Sequence, residues 1–318
     1  MKNKKITMTD IAKLAGVSQP TVSRAINNPH LVKASVREEI EKIIEEYNFI
    51  PDENAKTMRG LGSRILGLIV FDFSNYFYLE MVKFAEKIAR KKGYTLILMN
   101  SEGNSYLEKS HIKTLLARNV EGILIAPVDI KNLDFLRETK IPYTVINNIF
   151  ENHNCVYTSL EAGGEFACNY LISQGYEKIG YIGNFSEQKN LKLSGFKNAL
   201  KKNNMSFDEK LMVHINTKTM ETNSLETYLK NNSIENCSFV ASNDEIAHLF
   251  LQAVKNLYGP EKNISIVGFD NTIVSSLMNF SSIEQPMESM IEKAIEILFL
   301  NNNQIKQISL EPKLVIRK

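Results

Sequence analysis

Short apolar runs recur along the chain from residue 65 onwards, and helical patterns separate them. The runs span 65–71, 95–99, 122–126, 143–147, 179–183, 238–241 and 264–269. The clearest helical pattern is 76–92, which places Phe77, Met81, Phe84 and Ile88 on one face. Such alternation predicts parallel sheets covered by helices on both faces. Four units precede about residue 158 and three or four follow it, so we expect two similar lobes with a ligand cleft between them.

The first 50 residues follow a different pattern, with apolar positions at helical spacing. Thr7 followed by Asp10 is an N-cap spacing, and Ile11, Leu14 and Ala15 then form an apolar stripe. Gly16 can end this helix because glycine accepts a left-handed conformation. We therefore predict a first short helix between the Thr7 cap and Gly16.

A second short helix follows directly. Ser18 is its predicted cap, and Pro20 is tolerated because it lies in the first turn. Val22 and Ile26 face inward, and Asn27-Asn28-Pro29 ends the helix. A third helix over about 34–47 buries Val36, Ile40, Ile43 and either Ile44 or Tyr47. Two short helices joined by a tight glycine turn and packed on a third predict a helix-turn-helix.

Charge is distributed unevenly between this head and the rest of the chain. Residues 1–37 carry seven basic side chains and one acidic one, whereas residues 38–318 carry 31 basic and 35 acidic groups. A basic head indicates a module that binds a polyanion, although a solvated basic tail would show the same excess. The charge alone does not separate these two interpretations.

The exposed face of the second helix favours nucleic acid as the polyanion. It holds Gln19, Pro20, Ser23, Arg24 and Asn27. Arginine can read guanine with two hydrogen bonds, glutamine can read adenine, and serine and threonine suit phosphates. A three-helix bundle that binds a protein is the alternative. It does not explain why positive charge and base-reading groups share the first two helices.

Composition limits the remaining classes of protein. With 43% hydrophobic and 23% charged residues, the chain has an ordinary globular composition. No apolar run is long enough to cross a membrane and the N-terminus has no apolar signal region, so we expect a soluble cytoplasmic protein. The three cysteines are too scattered for a disulfide framework or a metal site. No glycine-rich nucleotide motif, HExxH or nucleophile elbow is present, so we expect neither an enzyme nor a cofactor.

The stretch TMTDIAKLAGVSQPTVSRAINNP (7–29) resembles the N-terminal signature of the lactose/galactose-repressor (LacI/GalR) family. The resemblance implies that the second helix reads the major groove of an operator. Proline at position 20 has no N–H to donate, so base reading would rest mainly on Gln19 and Arg24. The implied DNA-binding residues are Thr7, Thr9, Ser18, Gln19, Pro20, Thr21, Ser23, Arg24, Asn27, Asn54, Ala55 and Met58.

The last three of these residues fall in the segment 51–64. From its spacing alone, this segment could be a plain linker or a short hinge helix. The family resemblance implies a hinge helix that orders on operator DNA. Met58 would then wedge into the minor groove where the family usually has leucine.

The resemblance continues through the larger part of the chain, in FDFSNYFYLEM, ISQGYEKIGYIG, SNDEIA, IVGFDNT, IEQPMESM and LEPKLVIRK. It implies a head at 1–50, a hinge and linker at 51–64, and an effector-binding and dimerisation domain at 65–318. The domain at 65–318 would consist of two lobes and resemble a periplasmic binding protein. The first would comprise about 65–158 with 287–310, and the second about 159–285 with the C-terminal strand.

The implied effector pocket is rich in carboxylates and amides, which suit the paired hydroxyls of a sugar. For Asn243, Asp244 and Asp270, capping of helices and turns is the alternative role. Lysine at 192 replaces the arginine of sugar-binding members, which leaves a sugar phosphate, a nonsugar ligand or a protein co-regulator open. The implied pocket residues are Asp72, Phe73, Tyr78, Asn147, Lys192, Asn243, Asp244, Asp270 and Gln285.

These features predict a homodimeric repressor of carbohydrate-metabolism genes that binds a pseudo-palindromic operator and responds to a small-molecule effector. A dimer is expected because the leucine-heptad tail of tetrameric family members is missing. Two alternatives remain: a global regulator that uses a protein co-regulator, and a sugar-binding transport component. The basic head and the lack of a signal peptide argue against the transport component.

Overall fold

The computed structural model describes residues 6–50, 62–184, 190–215, 222–300 and 304–317. The chain divides into two compact units, Met1–Ser63 and Arg64–Lys318, which are described in turn. None of the helices in these described ranges is long and apolar enough to cross a membrane.

The first unit is a small helical head. Its helices are α1 (Met8–Leu14), α2 (Gln19–Asn27) and α3 (Ala34–Glu46), with a 3-10 turn at Pro29–Leu31. Thr7 and Asp10 form a reciprocal capping box at the start of α1, and Ser18 accepts from Thr21 N at the start of α2. Gly16 lies between the two helices with φ +63°. The predicted helix-turn-helix is confirmed.

The head core differs from the expected stripe at Leu14. Leu14 is 52% exposed, and Ala12 is buried where the helix actually faces α2 and α3. At the end of α3, the structure decides between the two expected residues: Ile44 packs against the core and Tyr47 is exposed.

The second unit contains two six-stranded sheets, each flanked by helices. The first sheet has the order β11 (Gln307–Leu310), β5 (Cys155–Thr158), β4 (Tyr143–Ile146), β3 (Gly122–Ile125), β1 (Ile65–Val70), β2 (Thr95–Asn100). The second has the order β12 (Lys313–Val315), β10 (Ser281–Glu284), β9 (Ser265–Asp270), β8 (Cys237–Ala241), β6 (Lys178–Gly183), β7 (Met212–His214). Every pairing is parallel except that of β10 with β12. The expected doubly wound parallel architecture is therefore confirmed.

The first sheet and its helices form the first lobe. Its strands are β1 (Ile65–Val70), β2 (Thr95–Asn100), β3 (Gly122–Ile125), β4 (Tyr143–Ile146), β5 (Cys155–Thr158) and β11 (Gln307–Leu310). Its helices are α4 (Tyr76–Lys91), α5 (Ser105–Ala117), α6 (Ile130–Thr139) and α12 (Met287–Leu298). Helix α12 joins this lobe because its buried face shares one core with β1, β3 and α4.

The second sheet and its helices form the second lobe. Its strands are β6 (Lys178–Gly183), β7 (Met212–His214), β8 (Cys237–Ala241), β9 (Ser265–Asp270), β10 (Ser281–Glu284) and β12 (Lys313–Val315). Its helices are α7 (Leu160–Ser173), α8 (Leu191–Lys202), α9 (Thr222–Asn231), α10 (Asp244–Tyr258) and α11 (Ile273–Met278), with a 3-10 turn at Glu209–Leu211. The chain thus crosses between lobes after β5, β10 and β11.

Several short strands lie outside the apolar runs. Strand β10 carries Ser281 and Ser282, and both are buried despite their polarity. Ser282 donates to Asp244 and Ser281 donates to Arg317 O, so each hydroxyl is satisfied inside the sheet. A hydrophobicity pattern does not detect a strand that is buried through such polar contacts.

Helices α7 and α8 approach each other unusually closely in the second lobe. Two glycines, Gly164 on α7 and Gly195 on α8, lie at the contact. A Cβ on Gly164 would meet Lys192 O, and a Cβ on Gly195 would meet Glu161 O. The absence of side chains at both positions therefore sets where α8, and with it Lys192, lies.

Candidate functional site

The exposed surface of α2 in the head carries two side chains that are available for recognition. Gln19 and Arg24 are both exposed, and in the part of the head that the structure describes neither makes a hydrogen bond or an ion pair. An arginine and a glutamine on one short helix form a donor-rich surface that matches the edges of guanine and adenine. Thr9 and Pro20 are exposed nearby.

The hydroxyl and amide groups beside them are already engaged. Ser18 Oγ lies 2.9 Å from Thr21 Oγ1 and caps α2. The Asn27 side chain donates to Ser23 O at 2.8 Å, and Thr7 caps α1. These residues therefore stabilise the two helix ends in this structure. The predicted hinge residues Asn54, Ala55 and Met58 lie outside the described residues.

A cleft of about 420 Å³ lies between the two lobes of the second unit. It is placed where a crevice is expected, outside the carboxyl ends of parallel strands. Residues from both lobes line it. Six of the predicted pocket residues contribute: Tyr78, Asn147, Lys192, Asn243, Asp270 and Gln285.

Three predicted pocket residues do not line the cleft. Asp72 accepts from Ser74 N at 2.9 Å in a local turn, and Phe73 packs against the core of the first lobe. Asp244 is fully buried, and its two oxygens accept from Thr272 N and Ser282 Oγ, each at 2.6 Å. Burial raises the pKa of Asp244 to about 6. We interpret Asp244 as an anchor for the loop after β9.

Lys192 and Asp270 face each other across the second-lobe wall of the cleft. Lys192 Nζ lies 3.6 Å from Asp270 Oδ1, donates to Ser242 O at 2.6 Å and lies 3.8 Å from the centre of the Phe269 ring. Asp270 Oδ1 also accepts from Gln285 Nε2 at 2.7 Å. The cation and the carboxylate therefore satisfy each other, and the pair adds no net charge to the cleft.

Amides dominate the rest of the polar lining. Besides the predicted Asn147, Asn243 and Gln285, the cleft receives polar groups that the sequence did not single out: Asn75, Asn148, Asn184, Asn190 and Ser242. Among the described atoms, Asn147 Oδ1 and Gln285 Oε1 are buried without a hydrogen-bond partner. Unpaired amide oxygens beside a cleft are available to accept from the hydroxyls of a ligand.

Three of these asparagines also cap helices. Asn75, Asn190 and Asn243 accept from backbone N–H groups at the starts of α4, α8 and α10. The capping role and the cleft-lining role therefore coincide at Asn243. An asparagine that begins a helix just after a parallel strand lies at the sheet edge where the cleft forms, and this signal could have identified Asn75.

Two strand ends turn into the cleft with unusual backbone conformations. Asn147 follows β4 with φ +61°, and Asp270 ends β9 with φ +95°. Asparagine and aspartate enter the left-handed region more readily than other residues with a side chain. Aromatic and apolar surface completes the lining, from Phe71, Phe77, Tyr78, Pro127 and Leu160.

Two family models match the chain. Residues 7–52 match bacterial regulatory proteins of the lacI family, and residues 63–297 match the periplasmic binding proteins and sugar binding domain of the LacI family. The chain belongs to the LacI family. Members of this family with a helix-turn-helix head are DNA-binding transcriptional regulators. The functional class expected from the sequence is therefore confirmed.

Curated relatives of this LacI-family chain match along almost its entire length. The transcriptional repressor PurR of Vibrio vulnificus is 27% identical, covering 98% of this chain and 97% of its own. The ribose operon repressor of Escherichia coli is 26% identical, covering 92% of each chain. Among solved structures, the Lac repressor dimer bound to operator and the anti-inducer ONPF shares the fold, with a TM-score of 0.83 at 23% identity over 99% of both chains.

Proposed function

We propose that this LacI-family regulator is a homodimeric repressor whose effector is an uncharged, polyhydroxylated molecule of the sugar class. The observation that carries the proposal is the composition of the cleft, which is lined by amides and aromatic rings around one neutralised ion pair. Amides both donate and accept, as the hydroxyls of a sugar require. Aromatic faces in the lining can pack on the apolar face of a sugar ring.

The state of Lys192 argues against a phosphorylated effector. Its ammonium already has Ser242 O, Asp270 and the Phe269 ring as neighbours. Asp270 is the other charged group in the described lining, and it would repel a phosphate. The cleft therefore lacks an available cation for an anionic group, although the Lys192 position alone left a sugar phosphate open.

Operator binding is proposed for the head because its exposed groups match DNA. Gln19 and Arg24 face solvent on α2, and basic side chains predominate in residues 1–37. Phosphate contacts give affinity and position, whereas contacts with base edges give sequence specificity. The chain would act as a regulator rather than an enzyme, in the cytoplasm where the DNA lies.

A dimer is proposed because the second lobe exposes an apolar helix. Ile273, Leu277 and Met278 on α11 are 49%, 76% and 37% exposed. A contiguous apolar patch on a regulator of this class is suited to burial against a second copy. Two heads held by a dimer would match the two half-sites of a pseudo-palindromic operator.

A thermal-shift screen with matched neutral and phosphorylated sugars tests the effector class. The panel contains two matched pairs, ribose with ribose 5-phosphate and glucose with glucose 6-phosphate, together with cellobiose and the uncharged nucleoside inosine. A ligand at 100 times its dissociation constant stabilises the folded protein by about 2.7 kcal/mol, and we expect this from a neutral sugar. Stabilisation by a sugar phosphate alone would contradict the proposal. No response to any compound would instead support a protein co-regulator.

A further inference from the structure

A hydrogen bond to one buried carboxyl group links the two lobes beside the cleft. Glu245 is the second residue of α10 in the second lobe, and its Oε1 accepts from the backbone N–H of Tyr76 at 3.2 Å. Tyr76 is the first residue of α4 in the first lobe. The next residues of that helix, Phe77 and Tyr78, line the cleft. Glu245 therefore touches the element that presents first-lobe side chains to the effector.

The surroundings of Glu245 do not favour a negative charge. The side chain is 9% exposed, and its Oε2 has no hydrogen-bond partner among the described atoms. The charged groups near it are the carboxylates of Asp244 on the same helix and Asp270 at the end of β9. Lys192 is committed to Asp270 and Ser242, and α4 contributes only the Tyr76 N–H to the contact.

We propose that Glu245 is a positioning residue of the effector cleft, and that it couples closure of the two lobes to the uptake of one proton. The proposal rests on the proposed function, because closure matters only if the cleft encloses an effector. The geometry that carries it is a buried carboxyl group that is hydrogen-bonded both to its own backbone N–H and to the Tyr76 N–H on the opposite lobe.

The direction of the coupling follows from the two environments of the carboxyl group. When the lobes close, burial, helped by the two neighbouring carboxylates, raises the pKa of Glu245 to about 7. When they open, the group loses Tyr76 and returns to water, where a glutamate has its ordinary pKa near 4.5. The state with the higher pKa is stabilised as the pH falls, so acid favours closure. The protonated group keeps a carbonyl oxygen that accepts from Tyr76 N–H.

An interlobe distance measurement on the full chain tests this without any ligand. Nitroxide labels are placed at cysteines introduced at the exposed positions Lys131 on α6 and Lys201 on α8, while the native cysteines are buried. Double electron–electron resonance is recorded at pH 8 and pH 6. We expect the ratio of the short-distance to the long-distance population to rise up to about tenfold between these values, as one proton is taken up.

Two variants separate the coupling from general effects of charge. Glu245→Gln keeps the acceptor for Tyr76 and does not titrate, so it should show the short distance at both pH values. Glu86→Gln removes a charge from the exposed Glu86–Arg90 pair on α4, the helix that begins at Tyr76, and this variant should behave like the native chain. A native distance distribution that does not change with pH would overturn the proposal, as would unchanged pH dependence in Glu245→Gln.

The two proposals fail in different ways. A pH-dependent distance without stabilisation by any sugar of the panel would overturn the proposed effector class and leave the coupling in place. Stabilisation by a neutral sugar, together with an interlobe distance distribution that does not change with pH, would overturn the coupling alone. A native distance distribution that does not change with pH overturns the coupling whether or not the Glu245→Gln variant folds.

Discussion

Replacing Arg24 by alanine should weaken operator binding by about 1–3 kcal/mol, which is roughly a 5- to 150-fold loss of affinity. The guanidinium is exposed on α2, and in the described head it has no intramolecular partner to lose. Its removal should therefore leave the head folded. The loss should concentrate at one base pair, because a bidentate contact with guanine discriminates against the other bases. Fluorescence anisotropy on an operator selected from random duplexes measures both effects.

The matched control is Arg37→Ala, which removes the same charge from α3. Arg37 lies 3.6 Å from Glu41 on the same helix, so its charge is already paired on the head surface. We expect this variant to bind the operator within about fivefold of the native chain, since an exposed pair contributes at most about 1 kcal/mol. Arg24→Ala binding that falls equally on operator and random DNA would mean that Arg24 contacts phosphate rather than a base.

Replacing Gly164 by alanine should destabilise the second unit by about 3 kcal/mol. The added Cβ would meet the backbone oxygen of Lys192 and the backbone nitrogen of Phe196 on the facing helix. Backbone cannot move aside as a flexible side chain can, so α7 and α8 would have to separate. The melting temperature should fall by roughly 6–12 °C, which differential scanning calorimetry measures.

Gly175→Ala provides the comparison. Gly175 follows α7 with φ +87°, and a Cβ there would meet no atom within 4 Å. The free energy of unfolding should then fall only by the strain of an alanine with a positive φ, which is about 1–2 kcal/mol. If both variants have the same melting temperature, the close approach of the two helices does not contribute to stability. A larger loss in Gly164→Ala should also weaken effector binding, because Lys192 lies on the displaced helix.

The head could be predicted almost completely from the sequence because its signals are local. Thr7, Asp10, Gly16 and Ser18 each act within one or two helical turns, and the structure has the caps and the turn at these residues. Leu14 was placed wrongly because a spacing rule does not say which side of the apolar stripe the other helices will cover.

The core strands were predictable where both sheet faces are apolar, as in β1 and β8. The cleft was less predictable. The family pattern led to Asn147 and Asp270, which line it, but also to Asp244, whose carboxylate instead holds the loop after β9. Motif position specifies which segment approaches the cleft. It does not specify whether a side chain on that segment turns outward to the ligand or inward to its own lobe.

The neutral character of the cleft could not be read from the sequence either. As long as the neighbours of Lys192 were unknown, this lysine left a sugar phosphate open, beside a nonsugar ligand and a protein co-regulator. Ser242 and Phe269 lie far from it along the chain, and the folded second lobe brings both to the ammonium. A count of basic and acidic residues does not show which charges are neutralised by their neighbours in the folded protein.

A neutral sugar bound in the cleft should change the affinity of the heads for DNA. The most direct test is the anisotropy titration of the native chain on its selected operator, with and without the sugar that gives the largest thermal shift. An allosteric coupling of about 1–3 kcal/mol predicts that the dissociation constant changes roughly 5- to 150-fold when the sugar is saturating. An unchanged dissociation constant, in the presence of a sugar that binds and stabilises the protein, would mean that the cleft does not control DNA binding.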